Sequence, residues 1–324
     1  MASVTYLEAI REAMAEEMAR DERVFLIGED IGRFGGAFKA TDGLLDRFGA
    51  TRVVDTPISE SAIIGAAVGA AYMGLRPVAE LQFIDFITCC FDMVTSFAAT
   101  SRYRTGAGVP MVVRGPCGAG VNGGPFHSAN PEAFFLNTAG LKIVEPSTPS
   151  DAKGLLKAAI RDDDPVLFFE HKLLYRRVKE ELPAGDYVVP IGKALVRRAG
   201  SDVTIVTFGA MVHVAIEAAD VLEKQGVHAE VIDLRTLAPL DRETILSSVA
   251  KTSKAIVLHE ASRTGGIGGE IAAIIGEEAF EYLDGPVTRV AALDIPVPFS
   301  PPLEKACLPN VDKVVAAAKR LVRY

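Results

Sequence analysis

The sequence predicts an α/β protein with parallel sheets, built as two domains. Short β-branched runs alternate with longer segments of helical period, the pattern of strand–helix–strand units. That alternation occurs twice, on either side of a charged, turn-rich stretch containing Pro183, Gly185 and Pro190. The chain of 324 residues, at roughly 150 per domain, is long enough for about two cores without disulfides or metals.

Thr5 and Glu8 have the spacing of a capping box, and the helix they open repeats Leu7, Ile10, Met14 and Met18 at intervals of three and four. Strands are expected at 24–27, 52–55, 77–81, 111–114, 141–144 and 166–169, with helices between most of them; together they make a first domain of residues 1–184. In the second, 185–324, strands are expected at 203–208, 229–232, 255–258 and 287–291. Helices there are expected at 212–225, 241–251, 269–280 and 311–322.

Thirty-four basic against 42 acidic residues leave a net charge of −8, which offers no footprint for nucleic acid. Mean hydropathy is high at +0.24, yet the apolar run from Ser61 to Leu75 is shorter than the ~20 residues a bilayer requires, so no membrane span is expected. The apolar surplus points instead to burial against another subunit. The N-terminus has neither a basic region nor an apolar one, so no secretory leader is expected. The four cysteines, Cys89, Cys90, Cys117 and Cys307, form no C-x-x-C pair and read as small core residues of a cytoplasmic protein.

Four segments carry chemistry. The strand ending at Asp55 runs through Thr56-Pro57-Ile58-Ser59 into Glu60, which opens a helix rich in Gly and Ala. An acid in a first turn is a common complement to the helix dipole, but one at the mouth of a helix apolar nearly all round needs a partner. Glu29 likewise follows a strand's C-terminal end, where ligands bind in doubly wound sheets, so Glu29 and Glu60 are expected to share a crevice; the alternative for Glu29 is a solvated turn. Gly118 to Gly123 fits G-x-G-x-x-G, but no helix starts on its last glycines, which leaves a mobile loop delivering His127 as an acid or base. Asp162-Asp163-Asp164 reads as a solvated acidic turn or a cation site, and Gly265 to Gly269 as close backbone packing rather than a phosphate seat.

Taken together, Gly28 to Gly32, Asp55 to Glu60, Gly74 to Glu80, His127-Ser128, Gly140 to Glu170, Glu230 to Thr236 and Asp294 to Phe299 resemble the beta subunit of the decarboxylating component of 2-oxo acid dehydrogenase complexes. The resemblance spans essentially the whole chain. It implies a thiamine-diphosphate-binding, pyrimidine-type parallel-sheet domain followed by a smaller transketolase C-terminal-like domain. It implies that Glu60 shares a proton with the aminopyrimidine ring and so favours activation of the cofactor. Glu29, Ile58, Ser59, Gln82 and Phe86 would line the cofactor and substrate pocket, and His127 would serve acyl transfer to a lipoyl group. A potassium ion on the backbone carbonyls of Met111, Ala159, Ile160, Asp162 and Asp164 is implied as well.

Thiamine enzymes of this kind grip the diphosphate through magnesium on a Gly-Asp-Gly motif, which is absent here. The diphosphate half is therefore expected from an alpha subunit, in an alpha-2-beta-2 tetramer that also serves a lipoyl-bearing acyltransferase. Pro131 to Phe135, Tyr175-Arg176 and Glu230 to Thr236 favour the branched-chain subfamily, with pyruvate and acetoin complexes as the alternatives. A non-catalytic interaction subunit would have no use for Glu29, Glu60, Gln82 and His127 together at loop positions.

Overall fold

The structure, a computed structural model, describes residues 3–324. In chain order the strands and helices of the first alternation are β1 (Val4–Thr5), α1 (Tyr6–Arg20), β2 (Val24–Glu29), α2 (Leu44–Phe48), β3 (Val53–Thr56), α3 (Glu60–Tyr72), β4 (Arg76–Glu80), α4 (Ser101–Thr105), β5 (Val112–Cys117), α5 (Glu132–Leu136), β6 (Lys142–Val144), α6 (Pro149–Arg161), β7 (Val166–His171) and β8 (Lys179–Glu180). The second comprises β9 (Leu195–Arg198), β10 (Val203–Thr207), α7 (Met211–Glu223), β11 (Ala229–Asp233), β12 (Thr236–Ala238), α8 (Arg242–Thr252), β13 (Ala255–Ser262), α9 (Gly268–Glu278), β14 (Thr288–Ala292), α10 (Pro301–Cys307) and α11 (Val311–Leu321).

Two compact units result. One is made of residues 1–117 and 134–191, the other of 118–133 and 192–324. The division falls a few residues beyond the expected 184, and the loop 118–133 groups with the second unit rather than the first. Its physical reason is a set of hydrogen bonds to β13 and α10, described below.

In the first unit β6, β7, β5, β4, β2 and β3 lie side by side in that order, all parallel. The capping box forms as expected: the Thr5 hydroxyl accepts from the Glu8 N–H, and the Glu8 carboxylate accepts from the Thr5 N–H at 2.7 Å. Helix α1 buries Leu7, Ile10, Met14 and Met18. Glu12, Glu16 and the buried Glu17 of the same helix pair with Lys153, Lys157 and Arg161 of α6 at 2.6–3.0 Å.

Three charged residues carried by neighbouring, largely apolar strands meet in the core. Arg114 of β5 is 1% exposed; its guanidinium forks onto Glu170 of β7 at 2.5 and 2.6 Å, and its other nitrogen donates to Glu80 of β4. The Tyr175 hydroxyl donates to the same Glu170 at 2.7 Å. Burial works against the charge on Arg114, but the two carboxylates more than offset it and raise the pKa.

The second unit holds a sheet ordered β14, β13, β10, β11, β9. It is parallel except at its edge, where β9 runs antiparallel to β11. Sequence periodicity did not suggest β9, because an exposed edge strand alternates weakly. Gly266 and Gly268 pack directly on the ring of the buried His259, where an added Cβ would stand 2.5 and 2.7 Å from ring atoms. Close packing is therefore the role of Gly266 and Gly268, whereas Gly265 meets nothing within 4 Å and takes a left-handed φ of 73°.

Cys90, Cys117 and Cys307 are buried, whereas Cys89 is exposed, a correction to its expected place in the core. It lies at the end of a 3-10 segment, Ile84–Cys90, with its side chain turned outward. No described helix is long and apolar enough to cross a membrane.

Candidate active site

Glu29 ends β2 in register with Thr56 of β3, which sets it beside the turn 57–59 that feeds α3. The side chain is 5% exposed, its carboxyl accepts the Ser59 N–H, and its Oε1 meets no partner. Burial raises its pKa first, and the charge of Glu60 raises it further. The end of β2 and the start of α3 thus bring Glu29 and Glu60 near enough for their charges to interact.

Glu60 is the first residue of α3 and half-buried, at the helix end that favours a negative charge. Its charge also reaches Cys90, whose thiol is pushed up to about 12 by burial, Cys89 and Glu60 in that order. Ile58 is 81% exposed and Ser59 is exposed with no side-chain cap bond, so the turn presents both residues outward.

Two local contacts shape the loop after β2. A Cβ on Gly28 would stand 2.6 Å from the Glu80 carbonyl oxygen, and the Asp55 carboxylate accepts the Gly32 N–H at 2.5 Å and the Arg33 N–H at 3.2 Å. Asp30 takes a left-handed φ of 56° and accepts from the Gln82 side-chain amide at 3.3 Å. Phe86 lies half-buried in the 3-10 segment, its N–H donating to the Phe83 carbonyl at 3.1 Å. Glu29, Ile58, Ser59, Glu60, Gln82 and Phe86 therefore all belong to the first unit.

His127 belongs to the second. It follows a 3-10 turn, Gly124–Phe126, and is half-buried. The expected mobile loop is instead clamped. The Gly118 N–H donates to the Ala129 carbonyl at 2.9 Å; the Ala119 N–H and the Asn130 amide donate to Glu260 Oε1 at 2.7 and 2.8 Å; and Glu304 Oε1 accepts from the Gly120 and Asn122 N–H groups at 3.1 and 3.2 Å. Gly118, Gly120 and Asn122 take φ values of 82°, 86° and 58°, which turn these N–H groups toward the carboxylates. The G-x-G-x-x-G string is a cradle filled by the chain's own acids, so it has no room for a phosphate.

Each acid of the turn is paired with a base, and Asp163 stays largely open to solvent as expected. Lys142 binds Asp162 at 2.6 Å, Arg76 binds Asp163 at 2.5 Å and Arg102 binds Asp164 at 2.5 Å. Among the carbonyls named for a cation, Met111 accepts from the Val166 N–H, Ala159 from the Asp162 N–H, and Ile160 and Asp162 from Arg76 Nη1 at 3.1 and 2.9 Å. No group of three or more His, Cys, Asp or Glu among the described residues is placed to hold a metal.

Sequence reasoning missed Glu260, Glu304 and the Arg114 cluster. A signal existed only for the last: Glu80, Arg114 and Glu170 each follow a run of apolar strand residues, and a charge so placed has to find a partner.

Residues 2–178 match the family described as transketolase, pyrimidine binding domain, and residues 192–314 match transketolase, C-terminal domain. An inactive tetramer of a split-gene transketolase shares the fold, with a TM-score of 0.81 over 99% of both chains at 23% identity. At higher identity stand the beta subunits of two Bacillus subtilis (strain 168) enzymes. The 2-oxoisovalerate dehydrogenase subunit is 53% identical and the pyruvate dehydrogenase subunit 46%, each over 100% of both chains. A mitochondrial pyruvate dehydrogenase beta subunit of Oryza sativa is 47% identical over 98% of this chain and 86% of its own. The chain belongs to the family of 2-oxo acid dehydrogenase beta subunits, components of thiamine-dependent enzymes that decarboxylate 2-oxo acids oxidatively.

Proposed function

We propose that this chain supplies the pyrimidine side of a thiamine diphosphate site for a branched-chain 2-oxo acid, with a lipoyl group on an acyltransferase as the acceptor. The observation that carries it is the closeness of Glu29, at the end of β2, and Glu60, at the start of α3, with one buried carboxylate oxygen of Glu29 left without a donor. An aminopyrimidine fits such a place, since it offers N–H groups and a basic ring nitrogen to two acids. The bound cofactor supplies an electron sink for decarboxylation.

The chain's own residues then have distinct tasks. Glu60 holds and returns a proton at the pyrimidine ring nitrogen, its charge favoured by the N-terminus of α3. Glu29 is raised by burial and Glu60, keeps more of its own proton, and fixes the turn at Ser59. Ile58, Ser59, Gln82 and Phe86 line the pocket and orient what it holds, and His127 moves a proton during acyl transfer. An alpha subunit in an alpha-2-beta-2 tetramer completes the site and holds the diphosphate through magnesium. A potassium ion on Met111, Ala159, Ile160, Asp162 and Asp164 would use the second lone pairs of carbonyls that already serve N–H donors, beside the Arg76 guanidinium. The complex is placed in the cytoplasm, in keeping with four free thiols.

The decisive variant is Glu60→Ala, coexpressed with the alpha subunit. It should assemble but lose about 10² to 10⁴-fold in decarboxylation measured with an artificial electron acceptor; near-normal turnover rejects the assignment. With the unaltered complex, 3-methyl-2-oxobutanoate should be preferred over pyruvate, and the reverse preference moves the substrate to the pyruvate reading.

A further inference from the structure

The acids that fill the glycine-rich cradle belong to the second unit, and the function above does not use them. Glu260, on β13, is 7% exposed and takes two donors, one from each end of the loop, Ala119 and Asn130. Glu304, on α10, is 5% exposed and takes two more, from Gly120 and Asn122. Between these anchored points the chain carries the turn that presents His127. Gly124 in that turn has φ 66° and lies against Phe299, whose ring atoms would stand 2.2–2.4 Å from any Cβ there. The loop is thus held at both ends by carboxylates and at its crest by a ring. A run of glycines would otherwise visit many conformations, and each of these contacts removes some of them.

We propose that Glu260 and Glu304 are positioning residues, which fix the 118–131 loop so that His127 is presented in one place for acyl transfer. The inference rests on the proposed role of His127. Charge-assisted acceptors suit the task because a carboxylate holding two backbone N–H groups is stronger and more directional than a neutral acceptor.

The test uses Glu304, because Glu260 neighbours the buried Glu132 and its replacement would also change that group's charge environment. Glu304→Ala, Glu304→Gln, His127→Ala and the double variant Glu304→Ala with His127→Ala are each coexpressed with the alpha subunit. Amide hydrogen exchange over residues 118–124, decarboxylation with an artificial acceptor, and lipoyl acylation are then measured. Losing a hydrogen bond to a charged acceptor should speed exchange at Gly120 and Asn122 by about tenfold or more in the alanine variant. Lipoyl acylation should fall about tenfold further than decarboxylation, and Glu304→Gln, which keeps an acceptor oxygen, should restore both readouts toward the unaltered complex.

In the His127→Ala background Glu304→Ala should cost no further acylation, since it acts through the histidine. A full additional loss there, equal losses in both half-reactions, or unchanged exchange each overturn the proposal. If His127→Ala alone leaves acylation intact, the histidine's assigned role fails, and the exchange rates still decide the clamp by themselves.

Discussion

Glu132 opens α5 fully buried, and neither of its carboxylate oxygens meets a donor from another residue. Burial, then the charge of Glu260, pushes its pKa up to about 8. In the unfolded chain the same carboxyl ionises near 4.5. Between those two values the folded state binds the extra proton, so this residue makes stability fall as pH rises from about 4.5 to about 8. Glu132→Gln keeps the shape of the protonated acid without the titration. Its melting temperature should exceed that of the unaltered chain at pH 8 and match it near pH 4.5, and parallel pH profiles for the two proteins would rule this out. Local patterns mark this residue only through a subfamily resemblance and carry no hint of its burial beside the charge of the distant Glu260.

At the scale of elements, α3 differs most from its expected surroundings. Its composition suggested burial on nearly every side, yet in this chain Ile63, Ile64, Ala67, Val68 and Ala71 face inward while Ser61, Ala62, Ala66 and Gly69 are open. Tyr72 and Met73 continue that open face at 47% and 83% exposure. Small residues let another backbone approach closely, and we propose the alpha subunit as the partner that covers them. A Cβ at Gly69 would meet nothing within 4 Å. Gly69→Glu should therefore leave the isolated chain as stable or slightly more so, by about 0.5–1 kcal/mol from helix propensity, while blocking assembly. Analytical ultracentrifugation of the coexpressed chains checks this, and an intact heterotetramer would remove α3 from the interface. The strands and most helices of both units were legible because buried parallel strands and amphipathic helices have strong periods. Edge strand β9 and the short α10 were not, since one alternates weakly and the other spans two turns.

Across the whole molecule, the residues that tie Glu29 to Glu60 are local in sequence, and they were legible as acids following strands. The clamp on the His127 loop was not, because it joins position 119 to 260 and position 120 to 304, far apart in the chain, through groups that no local pattern marks. The same wholeness decides how the chain behaves alone. It offers acids for the pyrimidine, but no Gly-Asp-Gly for magnesium, and its net charge is −8. Calorimetry on the isolated chain should show weak thiamine diphosphate binding and no turnover, both restored by the alpha subunit with magnesium. Micromolar binding with turnover by the isolated chain would contradict the shared site.

Salt should act unequally on the contacts that order this protein. The pairs linking α1 to α6 include half-exposed acids such as Glu12 and Glu16, so ions with a screening length of ~8 Å at physiological strength weaken them. The loop that carries His127 is held by buried carboxylates against backbone N–H dipoles, where mobile ions have little access. Brine therefore loosens the outer brace of the first unit while the histidine keeps its place.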